Sequence, residues 1–183
     1  PTWRNWLDSV PDKDFEESDY FRHYMGLLNS ERLNQILEKY DLEVNFYLHA
    51  KFQEYADTFK SISKRIHLIS FGEVAVNEML MRCRMLITDY STWDILYQDK
   101  PSLFYQFDIG KYNEAHGSYI DMETELFGDR AATQEQLLDY LEETVQNDFR
   151  LKPEYEKMRG EYLQFKDHEH SRHICEEIKK RFH

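Results

Sequence analysis

The chain has 183 residues, 41% of them hydrophobic and 32% charged, a balance that supports the packed core of one ordinary domain and excludes intrinsic disorder. Lys and Arg total 23 against 35 Asp and Glu, a net charge of −12; so acidic a chain is excluded as a general binder of duplex nucleic acid, which needs a basic surface, although a nucleotide needs only a few local donors. Two cysteines, Cys83 and Cys175, without a C-x-x-C spacing argue against a disulfide framework or zinc knuckle, and the absence of a signal peptide or of an apolar run near the ~20 residues of a membrane span makes the chain read as cytoplasmic.

Pro1 opens directly into an apolar and aromatic stretch, as expected of a domain cut from a longer protein. Glu17–Leu28 and Ser30–Tyr40 read as helices, the second with Ser30 as N-cap and Leu33, Ile36, Leu37 and Tyr40 as one stripe. Val44–Leu48 follows as a strand ending at His49, and Phe52–Phe59 as a short helix or turn. Arg65–Ile69 is a second strand and Glu73–Met81 a helix with Val76, Met79 and Leu80 inward. Met85–Thr88 is a third strand, closed by Asp89-Tyr90-Ser91, and Thr92–Gln98 a helix. Ser102–Tyr105 is a fourth strand after Lys100-Pro101. Gln106–Gly128 reads as a loop-rich region. Thr133–Asn147 is an amphipathic helix opened by a Thr-x-x-Gln capping box, and Lys152–Leu163 and Ser171–Phe182 close the chain as helices. Strands alternating with helices predict an α/β fold, a Rossmann-like parallel sheet flanked by helices, in one domain over residues 1–183.

In open parallel sheets ligands bind beyond the carboxyl ends of the strands. That rule selects His49, the Ser70-Phe71-Gly72 turn and the Asp89–Thr92 segment, which end three successive strands. Ser91, Thr92 and Asp94 have two compatible readings: a capping box, with Ser91 as cap and Asp94 reaching back, or an anion site built from hydroxyls and free backbone N–H groups. His49 can serve as a general acid or base, or as a cation facing phosphate, or simply satisfy a loop carbonyl. His168, His170 and His173 are spaced i, i+2, i+5, which does not place them on one helical face, so they read as a polar helix start rather than a metal site. Neither a Walker A loop nor G-x-G-x-x-G occurs, and no metal or cofactor is expected.

The run Leu86-Ile87-Thr88-Asp89-Tyr90-Ser91, followed by Asp99-Lys100-Pro101 and Phe104-Tyr105-Gln106-Phe107-Asp108, resembles the CDP-glycerol:poly(glycerophosphate) glycerophosphotransferases, the teichoic-acid polymerases and their capsule-making relatives. Pro1-Thr2-Trp3-Arg4, Gly117-Ser118-Tyr119, Asn147-Asp148-Phe149, and Phe165-Lys166-Asp167 with Ser171-Arg172-His173-Ile174 are similar to weaker stations of that family, so the resemblance spans nearly the whole chain. It implies the C-terminal, nucleotide-binding half of a GT-B fold. It also implies transfer of glycerol phosphate or ribitol phosphate from a CDP-alcohol donor to a polymer hydroxyl, with CMP leaving and no obligatory metal. The partners it implies are that donor, a polyol-phosphate or glycan acceptor and an N-terminal GT-B half, with peripheral membrane contact only through regions outside this chain.

Residue by residue, the resemblance makes His49 the catalytic histidine of a K-x-H-P station. It makes Ser91 and Thr92 donor-phosphate ligands, places Asp94 and Arg4 near the donor, and turns Ser70, Phe71 and Gly72 toward the cytidine. Two departures stand out: Ala50 replaces the proline after the histidine, which leaves that loop less rigid, and the spacer from Asp89-Tyr90-Ser91 to Asp99-Lys100-Pro101 is two residues shorter than the family's pattern. Two other readings stay open at this point: a GT-B half binding a UDP-sugar, and a non-catalytic interaction module using the acidic, Tyr-rich surface.

Overall fold

The computed structural model describes residues 1–9, 12–90, 98–118, 120–163, 167 and 169–182. Five short strands and seven α-helices alternate along them. In chain order they are α1 (Asp19–Leu28), α2 (Glu31–Lys39), β1 (Val44–Tyr47), β2 (Ile66–Ile69), α3 (Val76–Arg82), β3 (Leu86–Thr88), β4 (Ser102–Tyr105), α4 (Ile109–His116), β5 (Asp129–Ala131), α5 (Gln134–Gln146), α6 (Pro153–Tyr162) and α7 (His170–Phe182), with 3-10 turns at Asn5–Ser9, Asp12–Glu17 and Ala50–Thr58. All pairings are parallel. β1 pairs with β2, Tyr47 opposite Ile69, and β3, β4 and β5 form a second ladder with β4 central.

The expectation of an α/β fold with parallel strands flanked by helices therefore holds, with the strands divided between two ladders. Both ladders feed one core. Phe46, Leu48 and Ile66 meet Leu103, Tyr105, Ala131 and the inner face of α5, Leu137, Leu138 and Leu141. Strand geometry explains how β4 serves two layers. Its side chains alternate, so Leu103 and Tyr105 enter that core while Phe104 joins Leu80, Leu126 and Phe127 on the other face. A strand buried on both faces is the mark of a parallel sheet covered by helices.

Helix starts follow the local rules. Ser18, Ser30 and Thr133 accept from Phe21 N, Leu33 N and Gln136 N at 3.1, 3.2 and 3.3 Å. Ser18 is why α1 begins at Asp19 rather than Glu17. Gln136 Oε1 reaches back to Ala132 N at 2.9 Å, one residue beyond the expected capping-box partner. Pro153 stands at the first turn of α6, where its missing N–H costs nothing.

Three elements depart from the expected pattern. Helix α3 begins at Val76 rather than Glu73, and Val76, expected to face inward, is exposed, leaving Leu80 as its buried residue. The segment 106–128 holds α4, whose sequence IGKYNEAH buries no side chain and so shows no apolar period. β5 has only three residues. Its entry depends on Gly128: a Cβ there would lie 2.0 Å from Ser102 O on the neighbouring strand. Substitution Gly128→Ala must push β5 off β4, and urea titration should show a loss of about 1–3 kcal/mol, the range for overpacking a closed site. A mild change below a few tenths would mean the β4–β5 edge yields freely.

Candidate functional site

The carboxyl ends of β3 and β4 deliver Asp89 and Asp108, and the amino-terminal segment delivers Arg4 between them. Arg4 is fully buried, as is Asp89. Its Nη1 donates to Asp89 Oδ2 at 2.9 Å and to Thr2 O at 2.6 Å, while Nε and Nη2 grip Asp108 at 2.8 and 3.2 Å. Asp89 is saturated on both oxygens. Thr2 Oγ1 and Thr2 N reach Oδ1 at 2.7 and 2.9 Å, Tyr90 N donates to Oδ1 at 2.8 Å, and Tyr24 OH donates to Oδ2 at 3.0 Å. Burial alone would raise the Asp89 carboxyl pKa. The Arg4 guanidinium and the Thr2 hydrogen bonds oppose it and hold the group below its ordinary value. Burial, with Asp89 beside them, pushes the Tyr20 and Tyr24 phenols well up.

Around this ion cluster lies a sleeve of rings. The Arg4 guanidinium stands 4.6 Å from the Tyr90 ring centre and 5.3 Å from that of Tyr20. Tyr90 stacks on Tyr112 of α4 at 3.5 Å and donates its hydroxyl to Asp108 at 2.9 Å. Gln106 Nε2, fully buried, donates to Asp89 O at 2.8 Å, while its Oε1 has no partner among the described residues.

His49 lies at the carboxyl end of β1 and caps the Ala50–Thr58 turn, its Nδ1 accepting from Lys51 N at 3.2 Å. That bond places the proton of the neutral ring on Nε2. The imidazole is exposed. Partial burial lowers its pKa, Lys51 lowers it further, and Asp89 opposes them. His49 therefore stands within electrostatic reach of Asp89, and behind it Phe52 packs on Trp3 and Tyr20 at 4.8 and 5.0 Å.

The Ser70–Gly72 turn closes the adjacent strand. Ser70 N donates to Glu73 Oε2 at 3.1 Å, Gly72 N to Tyr47 OH at 3.3 Å, and Gly72 has φ +85°, which only glycine adopts without strain. Phe71 is 55% exposed, with its ring 6.5 Å from that of Tyr47.

The structure thus brings His49 and the Ser70–Gly72 turn to one end of the β1–β2 ladder and sets Asp89 within range of His49. Ser91, Thr92 and Asp94, together with residues 92–97 of the helix expected over Thr92–Gln98, lie outside the described residues. Arg4 does not reach this surface. It is enclosed, with its described N–H bonds all made inside the protein.

The sequence reading selects Asp89 only as part of the Asp89–Thr92 segment, and Asp108 and Gln106 only as part of a family motif, and gives none of the three a role of its own. Their signal is chemical: a carboxylate or amide directly after a fully apolar strand demands a buried partner, and Arg4 supplies it. The Asp99-Lys100-Pro101 run is structural. Lys100 Nζ caps the carboxyl end of α3 through Leu80 O and Met81 O, both at 2.7 Å, and Asp99, in the left-handed region at φ 54°, pairs with Arg159.

The profile of the CDP-Glycerol:Poly(glycerophosphate) glycerophosphotransferase family matches residues 1–180. The chain belongs to that family. Among curated proteins, the minor teichoic acid biosynthesis protein GgaB of Bacillus subtilis (strain 168) is 25% identical over 182 residues, covering 91% of this chain and 19% of GgaB. Among solved structures, the wall teichoic acid polymerase TagF shares the fold with a TM-score of 0.51 at 20% identity, over 86% of this chain and 50% of TagF. This glycerophosphotransferase-family chain therefore spans less than two thirds of either relative, and its fold is GT-B-like. Among the described residues no helix is long and apolar enough to cross a membrane.

Substitution Arg4→Met would strand Asp89 as an uncompensated buried charge, and chemical denaturation should show a loss of about 3–5 kcal/mol. The pH dependence has a defined sign. Because the folded-state pKa of Asp89 is depressed, its ionisation stabilises fully above the unfolded value of ~3.9 and is lost as pH falls through the lower folded value. The stability gap between the natural protein and Asp89→Asn should hold steady from neutrality to about pH 5 and shrink below pH ~4; a gap flat down to pH 2 would contradict the depressed carboxyl.

Proposed function

We propose that the protein is the donor-binding half of a polyol-phosphate transferase, taking CDP-glycerol or CDP-ribitol and serving transfer of the polyol phosphate to a hydroxyl of a cell-wall or capsule polymer. The observation that carries this reading is the placement of His49 and the Ser70–Gly72 turn at the ends of adjacent parallel strands, with Asp89 in electrostatic range, in a chain of this family. The cytidine lies on the Ser70-Phe71-Gly72 turn. The diphosphate lies between His49 and the segment after Tyr90, with Ser91 and Thr92 donating to it and Asp94 near the donor. Arg4 acts from behind, holding Asp89 and Asp108 so that the two strand ends keep their spacing.

In the reaction the acceptor oxygen bonds to the phosphorus that bears the polyol. The bond from that phosphorus to the bridging oxygen breaks, and CMP leaves with that oxygen and its electron pair. The acceptor proton passes to a base on an N-terminal half, which completes the active site; this chain by itself binds nucleotide without turnover. Such a reaction is mostly positioning and charge stabilisation. His49 Nε2 meets charge building on the leaving CMP. The lowered pKa leaves the ring largely neutral at pH 7, and a bound diphosphate raises it.

Calorimetric titration with CDP-glycerol, CDP-ribitol and UDP-sugars tests the reading. The CDP compounds should bind and the UDP-sugars should not; preference for a UDP-sugar overturns the donor assignment, and no nucleotide binding at all favours a non-catalytic module. Binding should take up protons and tighten as pH falls toward the free pKa of His49, an effect that His49→Gln abolishes. In the full-length enzyme His49→Ala should slow transfer by about 10²–10⁴, and an unchanged rate removes the imidazole from the chemistry.

A further inference from the structure

The turn that follows β2 is closed by more bonds than its backbone supplies. Residues 70–73 form a β-turn in which Glu73 N donates to Ser70 O at 3.1 Å and Gly72 takes the positive φ of the third position. Two side chains then lock the turn. Glu73 Oε2 accepts from Ser70 N at 3.1 Å, and Tyr47 OH, at the end of β1, accepts from Gly72 N at 3.3 Å. Because α3 begins only at Val76, Glu73 belongs to this turn and not to the helix.

Two groups on that fixed frame are left over by folding. Phe71 joins neither face of the core among the described residues and is 55% exposed, with Tyr47 at its ring edge. The other large exposed apolar side chains, such as Ile62, Met81 and Ile178, lie ahead of β2 or on helices, so Phe71 alone among them stands at the carboxyl end of a described strand. Glu73 is exposed, and among the described residues its Oε1 has no partner while Oε2 holds the turn. An open aromatic face stacks on any nucleobase and so gives affinity without choice. A carboxylate oxygen gives choice. It accepts from the 4-amino group of cytosine and repels the 4-keto oxygen that uracil carries at the same place.

We infer that Glu73 is the specificity-determining residue for the base of the donor, its Oε1 accepting from the 4-amino group of a cytosine stacked on Phe71 and turning uracil away. This rests on the donor reading above, which lays the nucleoside on this turn. The bond to Ser70 serves selection as well as folding: it engages one carboxylate oxygen on the frame and thereby fixes the direction of the other. A carboxylate that only closed the turn would have no influence on which base binds.

Calorimetric titration with CDP and UDP, which differ only in the base, tests this beside a titration with CDP-glycerol. The unaltered protein should bind CDP about tenfold or more tighter than UDP. Glu73→Gln keeps the turn, since its amide oxygen still accepts from Ser70 N, and it presents an N–H donor in place of Oε1. In that variant CDP should weaken, UDP should tighten, and the ratio should fall to about threefold or less. Phe71→Ala should weaken both nucleotides about tenfold and leave their ratio as it was. Both side chains are exposed, and circular dichroism checks that the variants fold. A ratio unchanged in Glu73→Gln overturns the inference, as does equal binding of CDP and UDP by the unaltered protein, and in either case the nucleotide site stands. Failure of CDP-glycerol to bind while CDP binds counts against the donor reading and leaves the base selection measurable; absence of all nucleotide binding removes both.

Discussion

The guanidinium of Arg4 sits out of water between the carboxylates of Asp89 and Asp108, and the site end of the molecule is built around that arrangement. Three charges in an apolar interior carry a desolvation penalty that mutual attraction offsets only when geometry is good and the remaining lone pairs are filled. Here they are filled: Thr2, Tyr24 and Tyr90 complete Asp89, and Tyr90 completes Asp108. A buried cluster of this kind is weak evidence for net stability. Its consequence is geometric, since removing one member leaves the others unpaired and the chain has a single arrangement in which all are satisfied.

That arrangement fixes the relation between segments far apart in sequence. Arg4 and Thr2 tie the amino-terminal stretch to residues 85 to 104 positions away. Tyr24 adds α1, and Tyr90 with Tyr112 adds α4. Strands of three or four residues cannot hold a register firmly by ladder bonds alone. The ends of β3 and β4 are pinned instead by side chains, and the loops that leave those ends start from a defined place. A phosphate site made of loop backbone depends on that support more than on the loops themselves.

Much of the layout was readable from residue patterns. Val44–Leu48, Arg65–Ile69, Met85–Thr88 and Ser102–Tyr105 are apolar runs of strand length, and the stripe Leu137, Leu138, Leu141 has helical spacing, so their type and order follow from period alone. α4 was not readable because a helix that buries nothing has no period to show, and β5 was not because three residues carry none either. The division of the strands into two ladders is a matter of tertiary packing that single-strand patterns do not encode. At the site, strand-end position located His49 and the Ser70 turn. Arg4 was associated with the donor through the P-T-W-R motif, but a motif reports that a residue matters and not whether it faces ligand or core. Its burial between two acids is visible only once the strand ends are side by side.

The cluster also bears on how so acidic a chain can hold a diphosphate at all. Two carboxylates at the very edge where the donor is proposed to lie would repel it if they stood free. Arg4 lies within hydrogen-bond distance of both, and the hydroxyl and amide donors around Asp89 draw the remaining charge inward, so the field leaving the cluster is much weaker than two bare acids would produce. A locally quiet background lets a few oriented donors bind an anion without a basic surface.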